Sequence, residues 1–429
     1  MLRLRDAIKG NLGVMMLSAG IWTFAGQLVI PFQSIYILHL GGSYFHIGLI
    51  TSIAAISTII PTLIGGQLAD TYGRKKMLYT MSFIISLNFL IFSFAKNISW
   101  LVIASIINSL ALGFRQPSFS SIIDDSTDEK NRAQSYALWS IAPPLFGLAS
   151  PYIMGVYMDK IGITEALRIG YLFLFAASFI ASILRYLYIE ETLPEEDQDN
   201  FSINELANDI WNGLKETITT ISRPLKILGI MGLFFGLGAA IGGPFWVVYA
   251  TEDVIKLSLS DWGLIPGINT LIGTVAAVPL AKVADRRGRL CLLIPAIFIM
   301  PVAIIGFIIS RSFYHVLLVN LVVTLLGSIG MSSGQALFTD LTEPHHRGRV
   351  NALWSIAGTM RSFQVGISPG SLMGATGSLL GGYLYENIGR SLPLYLQSLM
   401  VGFTAVTGVF LVRETGKICS INYAESCPE

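Results

Sequence analysis

Apolar residues in this chain fall in long blocks separated by short polar breaks. The first runs from about Leu12 to Leu40, and five more lie near 45–67, 77–95, 99–122, 134–158 and 167–189. After a polar interval, six further blocks lie near 227–250, 260–283, 290–310, 314–338, 349–385 and 392–413. A helix that crosses a bilayer needs roughly 20 apolar residues, whereas a barrel strand needs only about 10 alternating ones. The blocks therefore predict twelve transmembrane helices and an all-α polytopic membrane protein. The first block is longer than a signal-peptide core and has no small-residue cleavage site behind it, so it reads as a span. Residues 1–190 and 226–415 are expected to form two six-helix bundles, joined by a linker at 191–225 and followed by a tail at 416–429.

The linker opens on Glu190, Glu191, Glu195, Glu196, Asp197 and Asp199. Ser202 then stands three residues before Glu205, the spacing of a capping box. Behind it Ile203, Leu206, Ile210, Leu214, Ile218 and Ile221 recur every three or four residues, which predicts an amphipathic helix lying on the inner membrane face or under the bundle.

Composition narrows the classes further. The chain is 53% hydrophobic and 13% charged, against about 25% charged in soluble domains. Disorder and an ordinary water-soluble globule are both excluded. A net charge of +1 gives no reason to expect nucleic acid. Cys291, Cys419 and Cys427 are too scattered for a disulfide framework, and no metal-ligand spacing occurs. No G-x-x-x-x-G-K-[ST] loop is present, which argues against ATP-driven pumping. The spans lack the His/Asp/Glu or Cys/His clusters of intramembrane catalysis, so neither an enzyme nor a cofactor is expected. With the N-terminus cytoplasmic, that side holds about twenty Lys and Arg, Arg185 among them, against six opposite. The positive-inside rule then puts both termini in the cytoplasm.

The most informative feature is an internal repeat. Asp70, Gly73, Arg74, Asp125 and Arg132 return 215 residues later as Asp285, Gly288, Arg289, Asp340 and Arg347. Ala137–Ala142 recurs letter for letter as Ala352–Ala357, including Trp139 and Trp354. An even number of spans per copy gives both copies one orientation, related by an axis along the membrane normal. Gly155 corresponds to Gly382, so the second copy has gained twelve residues. The stretch 366–377 is rich in glycine and serine and predicts an unwound segment or a re-entrant loop.

Gly66, Asp70, Gly73, Arg74 and Lys75 fit G-x-x-x-D-x-x-G-R-[RK] in full, and Asp285, Gly288 and Arg289 fit it in part. With the duplicated six-span pattern, the chain resembles the major facilitator superfamily. Gly66 and Gly73 suit close helix approach and a tight turn. The resemblance implies that Arg74 pairs with Asp125 or its neighbour Asp124, and that Asp70 faces the N-terminus of the eleventh helix. These contacts, with Asp340 and Arg289 as a second pair, would gate the cytoplasmic face. The family's fourth-span antiporter signature is not met, and the fifth-span one survives only as Pro151 and Gly155.

Two arginines fall near the midplane, Arg115 in the fourth span and Arg361 in the eleventh, and no Asp or Glu sits at comparable depth. The intramembrane carboxylate that usually carries a coupled proton is thus missing. The arginines could bind an anionic solute, or bond backbone carbonyls freed by Pro117 and by an irregular eleventh helix. Phe32 and Tyr36 after Pro31 are matched by Phe245 and Tyr249 after Pro244. These rings could stack on a solute or pack helices. Gln335 is one of several polar side chains that could contact a solute. The expected function is secondary transport of a small organic solute at a plasma membrane by a monomer, with a proton as a possible coupling ion. Efflux of amphiphilic, drug-like compounds is expected first, and uptake or exchange of an organic anion is the alternative.

Overall fold

The computed structural model describes residues 10–127, 132–193, 221–287, 289–342 and 372–425. Helices account for almost all of them, and no strand occurs among the described residues. In chain order these are α1 (Gly10–Val29), α2 (Gln33–His39), α3 (Tyr44–Tyr72), α4 (Arg74–Ser93), α5 (Ile98–Asp125), α6 (Arg132–Phe146), α7 (Ser150–Ile161) and α8 (Ile163–Tyr188). There follow α9 (Arg223–Gly242), α10 (Trp246–Val248), α11 (Leu259–Arg287), α12 (Arg289–Ile309), α13 (Phe313–Leu341), α14 (Leu372–Asn387) and α15 (Leu392–Glu425).

Lipid offers backbone groups no hydrogen-bond partner, so apolar stretches of this length must close their bonds within a helix. Ten of them among the described residues are long and apolar enough to cross a membrane. The remaining two of the twelve expected spans correspond to α11, which carries Asp261, Asn269 and Lys282, and to the stretch ending in α14. Buried hydroxyls obey the same constraint. Thr58, Ser82, Ser86 and Ser182 each donate to the carbonyl one turn earlier. Large apolar side chains such as Ile60, Val275 and Val302 point outward, as a lipid-facing surface requires.

By packing, the chain divides into two units, Met1–Ile203 with Pro244–Leu271, and Asn204–Gly243 with Ile272–Glu429. In the first, α3 lies on α5, α4 on α5 and α8, and α1 on α6 and α8. Its core at one end gathers Leu12, Met15, Leu78, Ile122 and Ile123. In the second, α9 lies on α14 and α15, and α12 on α13 and α15. Its core gathers Leu225, Leu228, Leu293, Leu337 and Phe338. These are the same positions, 213 residues on for the first pair and 215 for the other three. The repeat seen in polar loop residues is therefore also a repeat of the cores.

One expectation changes. Residues 372–377, expected to be unwound, open α14 as helix, where Gly377 sits against Leu237 and Ala240 of α9. Small residues here allow close approach rather than breaking the helix. The expected amphipathic helix over 203–221 falls almost wholly outside the described residues, as does 366–371.

Candidate functional site

The repeated motif forms a tight junction of helix ends. Gly73, at φ +93°, turns the chain from α3 into α4, a conformation that L side chains rarely adopt. Arg74, the first residue of α4, bonds Asp70 Oδ1 through Nε at 3.3 Å and also bonds Asp125, the last residue of α5. Glu191, just beyond α8, closes the junction from the third side. Its carboxylate accepts the backbone N–H groups of Arg74 and Lys75 at 3.2 and 3.0 Å. A carboxylate on unsatisfied amides at a helix N-terminus is favoured by hydrogen bonding and by the helix dipole. Asn11 fixes the preceding residue with two bonds to the Glu190 backbone.

Close helix approach belongs to Gly65 and not to Gly66. A β-carbon on Gly65 would lie 3.0 Å from the Phe114 backbone, whereas one on Gly66 would meet only Pro117 at 4.0 Å. On the facing helix Gly113 is equally tight against Pro61 and Thr58. In the second copy Asp340 is exposed near the end of α13. Gly288 and the side chains of Asp285 and Arg289 lie outside the described residues.

Replacing Glu191 by alanine should leave two N-terminal amides of α4 without their acceptor. The expected cost is about 1 kcal/mol, as for loss of an N-cap. Thermal unfolding of the purified variant in detergent checks this, and an unchanged midpoint counts against the clamp.

A second cluster lies inside the first unit. Arg115 and Phe119 sit one turn apart on α5, with the guanidinium carbon 5.5 Å from the ring centre. The guanidinium of Arg185, from α8, lies 5.6 Å from the same centre. Trp139 of α6 meets that ring edge-on, with centroids 5.5 Å apart. Arg185 is only 3% exposed. Its Nε donates to Ser18 Oγ at 3.1 Å and its NH1 to Ser82 Oγ at 2.9 Å. Those hydroxyls donate onward to the Met15 and Leu78 carbonyls, so their lone pairs are directed at the arginine. Arg115 is half-buried, and its buried Nε has no hydrogen-bond partner among the described residues.

Among the described residues neither guanidinium is paired with a carboxylate. A charged arginine deep in a bilayer costs at least about 2.5–3.5 kcal/mol, and a cation–π contact returns only about 0.5–2 kcal/mol. The ring and two hydroxyls therefore leave a surplus of positive charge. Sequence reasoning counted Arg185 among the cytoplasmic loop cations. The clue lay in its setting, because apolar residues flank it on both sides from Phe179 to Ile189. Arg361, its expected companion to Arg115, lies outside the described residues, as does Trp354.

The expected aromatic contacts are buried. Phe32, Tyr36 and Phe245 are 0% exposed and Tyr249 is 2% exposed. Tyr36 donates its hydroxyl to the Phe92 carbonyl at 2.8 Å and packs on Tyr171. In this structure all four are packed against protein. Gln335 lies in α13, with its side chain outside the described residues.

At the opposite end of α3 from the motif, the segment Pro244–Leu271 packs on α2, α3 and α7 of its own unit. Ser34 donates to the Pro244 carbonyl at 2.8 Å and Tyr44 to Asp253 at 2.8 Å, while His39 lies 3.8 Å from Glu252. Asp159, near the end of α7, accepts the backbone N–H groups of Leu259 and Ser260 at the start of α11. No cluster of three or more metal-ligating side chains occurs among the described residues.

The family model described as "Major Facilitator Superfamily" matches residues 14–363. The chain belongs to the major facilitator superfamily. As a major facilitator protein it is a multi-span membrane transporter of small molecules and not an enzyme. Among its relatives is the multi-drug resistance efflux pump PmrA of Streptococcus pneumoniae, 24% identical over 409 residues, covering 92% of this chain and 94% of that one. Multidrug resistance protein 2 of Bacillus subtilis is 25% identical over 399 residues, 90% of each chain. Multidrug resistance protein MdtG of Enterobacter lignolyticus is 24% identical over 418 residues, 95% of this chain and 93% of that one. Two solved structures share the major facilitator fold. A point mutant of the nucleoside transporter NupG superposes with a TM-score of 0.69 at 14% identity, covering 94% of this chain and 99% of that one. The human organic anion transporter MFSD10 (TETRAN) does so with 0.65 at 16% identity, covering 92% and 98%.

Proposed function

We propose that this transporter exports amphiphilic, drug-like organic compounds across the cell membrane by alternating access. Two six-helix halves rock about a midplane site. The observation that carries the reading is the end-to-end likeness to proteins named as multidrug efflux pumps and resistance proteins. The protein works as a monomer with both termini cytoplasmic, a proton is the candidate coupling ion, and the Gly73 junction gates the cytoplasmic face. Uptake or exchange of an organic anion is the second reading, favoured by the two arginines at Phe119, neither of which meets a carboxylate among the described residues.

Counterflow in proteoliposomes, with and without a pH gradient, tests both. Labelled tetraphenylphosphonium and labelled benzoate serve as the cationic and anionic probes. Counterflow of the cation above protein-free vesicles, accelerated by the pH gradient, is the expected result. Counterflow of benzoate alone overturns export of cationic drugs in favour of the second reading. Flux of neither probe, nor of a wider set of amphiphiles, sinks both.

A further inference from the structure

We propose that Arg115 and Arg185, both set against the Phe119 ring, form a subsite for the anionic head of an amphiphilic ligand, a carboxylate or sulfonate. The proposal rests on the reading of the protein as a transporter of amphiphilic compounds and specifies the charge of one class of them.

Geometry supplies the first argument. Both guanidinium carbons lie within 5.6 Å of one ring centre, with no carboxylate bound to either among the described residues. An anion held between or beside two such cations gains charge-assisted hydrogen bonds, and an arginine presents its donors in a fork that matches a carboxylate. Arg185 is held from behind by two hydroxyls, while Arg115 keeps part of its side chain accessible and its Nε unsatisfied. The Phe119 ring, braced edge-on by Trp139, fixes the surface that the two guanidinium groups share.

The second argument comes from the repeat. In α8 the buried positions Tyr171, Leu174, Ser178, Ala181 and Ser182 correspond to buried Leu394, Gln397, Val401, Thr404 and Ala405 of α15, 223 residues later. The same register takes Arg185 to Gly408. Ser18 and Ser82 correspond to Met231 and Ile297 through the core offsets. These counterparts also meet in space. A β-carbon on Gly408 would lie 2.5 Å from Ile297 Cδ1 and 3.4 Å from Met231 Cε. Arg115 and Phe119 correspond to Gly330 and Gly334, both buried. The second unit therefore fills the equivalent position with a methionine, an isoleucine and glycines. The fold does not need an arginine cluster there, and its presence in one copy alone points to a ligand.

Purified protein in nanodiscs of zwitterionic lipid is titrated with dansylglycine and dansylamide, which share a fluorophore and differ by the carboxylate. Dansylglycine is expected to bind at least about tenfold tighter, the worth of one or two charge-assisted hydrogen bonds. Arg115→Gln should remove most of that preference and Arg115→Lys should keep part of it. Because Arg185→Gln strands buried hydroxyls and puts folding at risk, the triple variant Ser18→Met, Ser82→Ile, Arg185→Gly imports the packing of the other copy. It should lose the preference for dansylglycine over dansylamide. Competition by added phosphatidylglycerol marks a lipid headgroup as the occupant, and its absence marks a solute. Equal affinities in the wild type, or an undiminished preference in Arg115→Gln and in the triple variant, overturn the subsite. Tetraphenylphosphonium counterflow by the same preparations separates the two claims. Flux without anion preference defeats the subsite alone, and preference without flux of any probe defeats the transport reading alone.

Discussion

Gly263→Val will reduce solute flux in proteoliposomes to the level of protein-free vesicles. The first turns of α11 lie on α7 with no room for a side chain. A β-carbon on Gly263 would sit 2.3 Å from the Pro151 carbonyl oxygen, one on Gly155 2.3 Å from that of Leu259, and one on Gly267 2.3 Å from that of Leu148. Carbon and oxygen need more than about 3 Å, so the two backbones must part by about 1 Å or more. Parting them also takes Asp159 out of reach of the Leu259 and Ser260 amides. If the protein alternates between two states, a face that can no longer close holds it in the other one. Overpacking costs about 1–3 kcal/mol even where side chains can adjust, and about 3 kcal/mol moves an even balance past 100:1. Gly243→Ala is the control, since nothing lies within 4 Å of its β-carbon position. It should keep most of the flux. Gly263→Val retaining half of the wild-type rate would show that this approach is not part of the cycle.

The parts of this molecule that were legible in the sequence are those enforced by lipid and by duplication. A bilayer allows only closed backbone hydrogen bonding, so long apolar blocks declare themselves as helices. The 215-residue repeat is visible in loop residues because charged positions are sparse and therefore conspicuous. That Leu78, Ile122 and Ile123 repeat as Leu293, Leu337 and Phe338 could not be seen against a background of similar apolar letters. The burial of Arg185 is hidden from the sequence for a related reason. The positive-inside rule treats a cation near a span end as solvated, yet an arginine one helical turn from the end can turn inward when hydroxyls await it. Gly66 matched the motif while its neighbour Gly65 makes the contact, because a motif letter records spacing and not which side of the helix faces a partner. Phe32, Tyr36, Phe245 and Tyr249 were legible as a repeated set but not as buried, since aromatic rings look alike whether they pack a helix or a ligand.

The motif itself gives the second strong prediction, and here the magnitudes separate folding from function. Arg74 is 20% exposed, Asp70 47% and Asp125 36%. Ion pairs this open to solvent contribute about 0–1 kcal/mol, so Arg74→Ala and Asp70→Asn should each leave thermal stability nearly unchanged. Their effect on transport should nevertheless be large, at least about tenfold on flux, equivalent to a shift of about 1.4 kcal/mol between two conformational states. Arg74, at the start of α4, ties the last turn of α3 to the end of α5, and Glu191 ties the end of α8 to the first turn of α4. Four helix ends thus move together or not at all. A double-mutant cycle distinguishes two ways in which Asp70 could act. If Asp70 serves only to position Arg74, Asp70→Asn costs no more than Arg74→Ala and the double variant adds nothing. If it also meets the N-terminus of the eleventh membrane span, expected near 349–385, the loss on Asp70→Asn exceeds that of Arg74→Ala. Full flux in Asp70→Asn, with an unaltered balance between the two states, would remove the gate assignment and reduce the junction to a solvated turn.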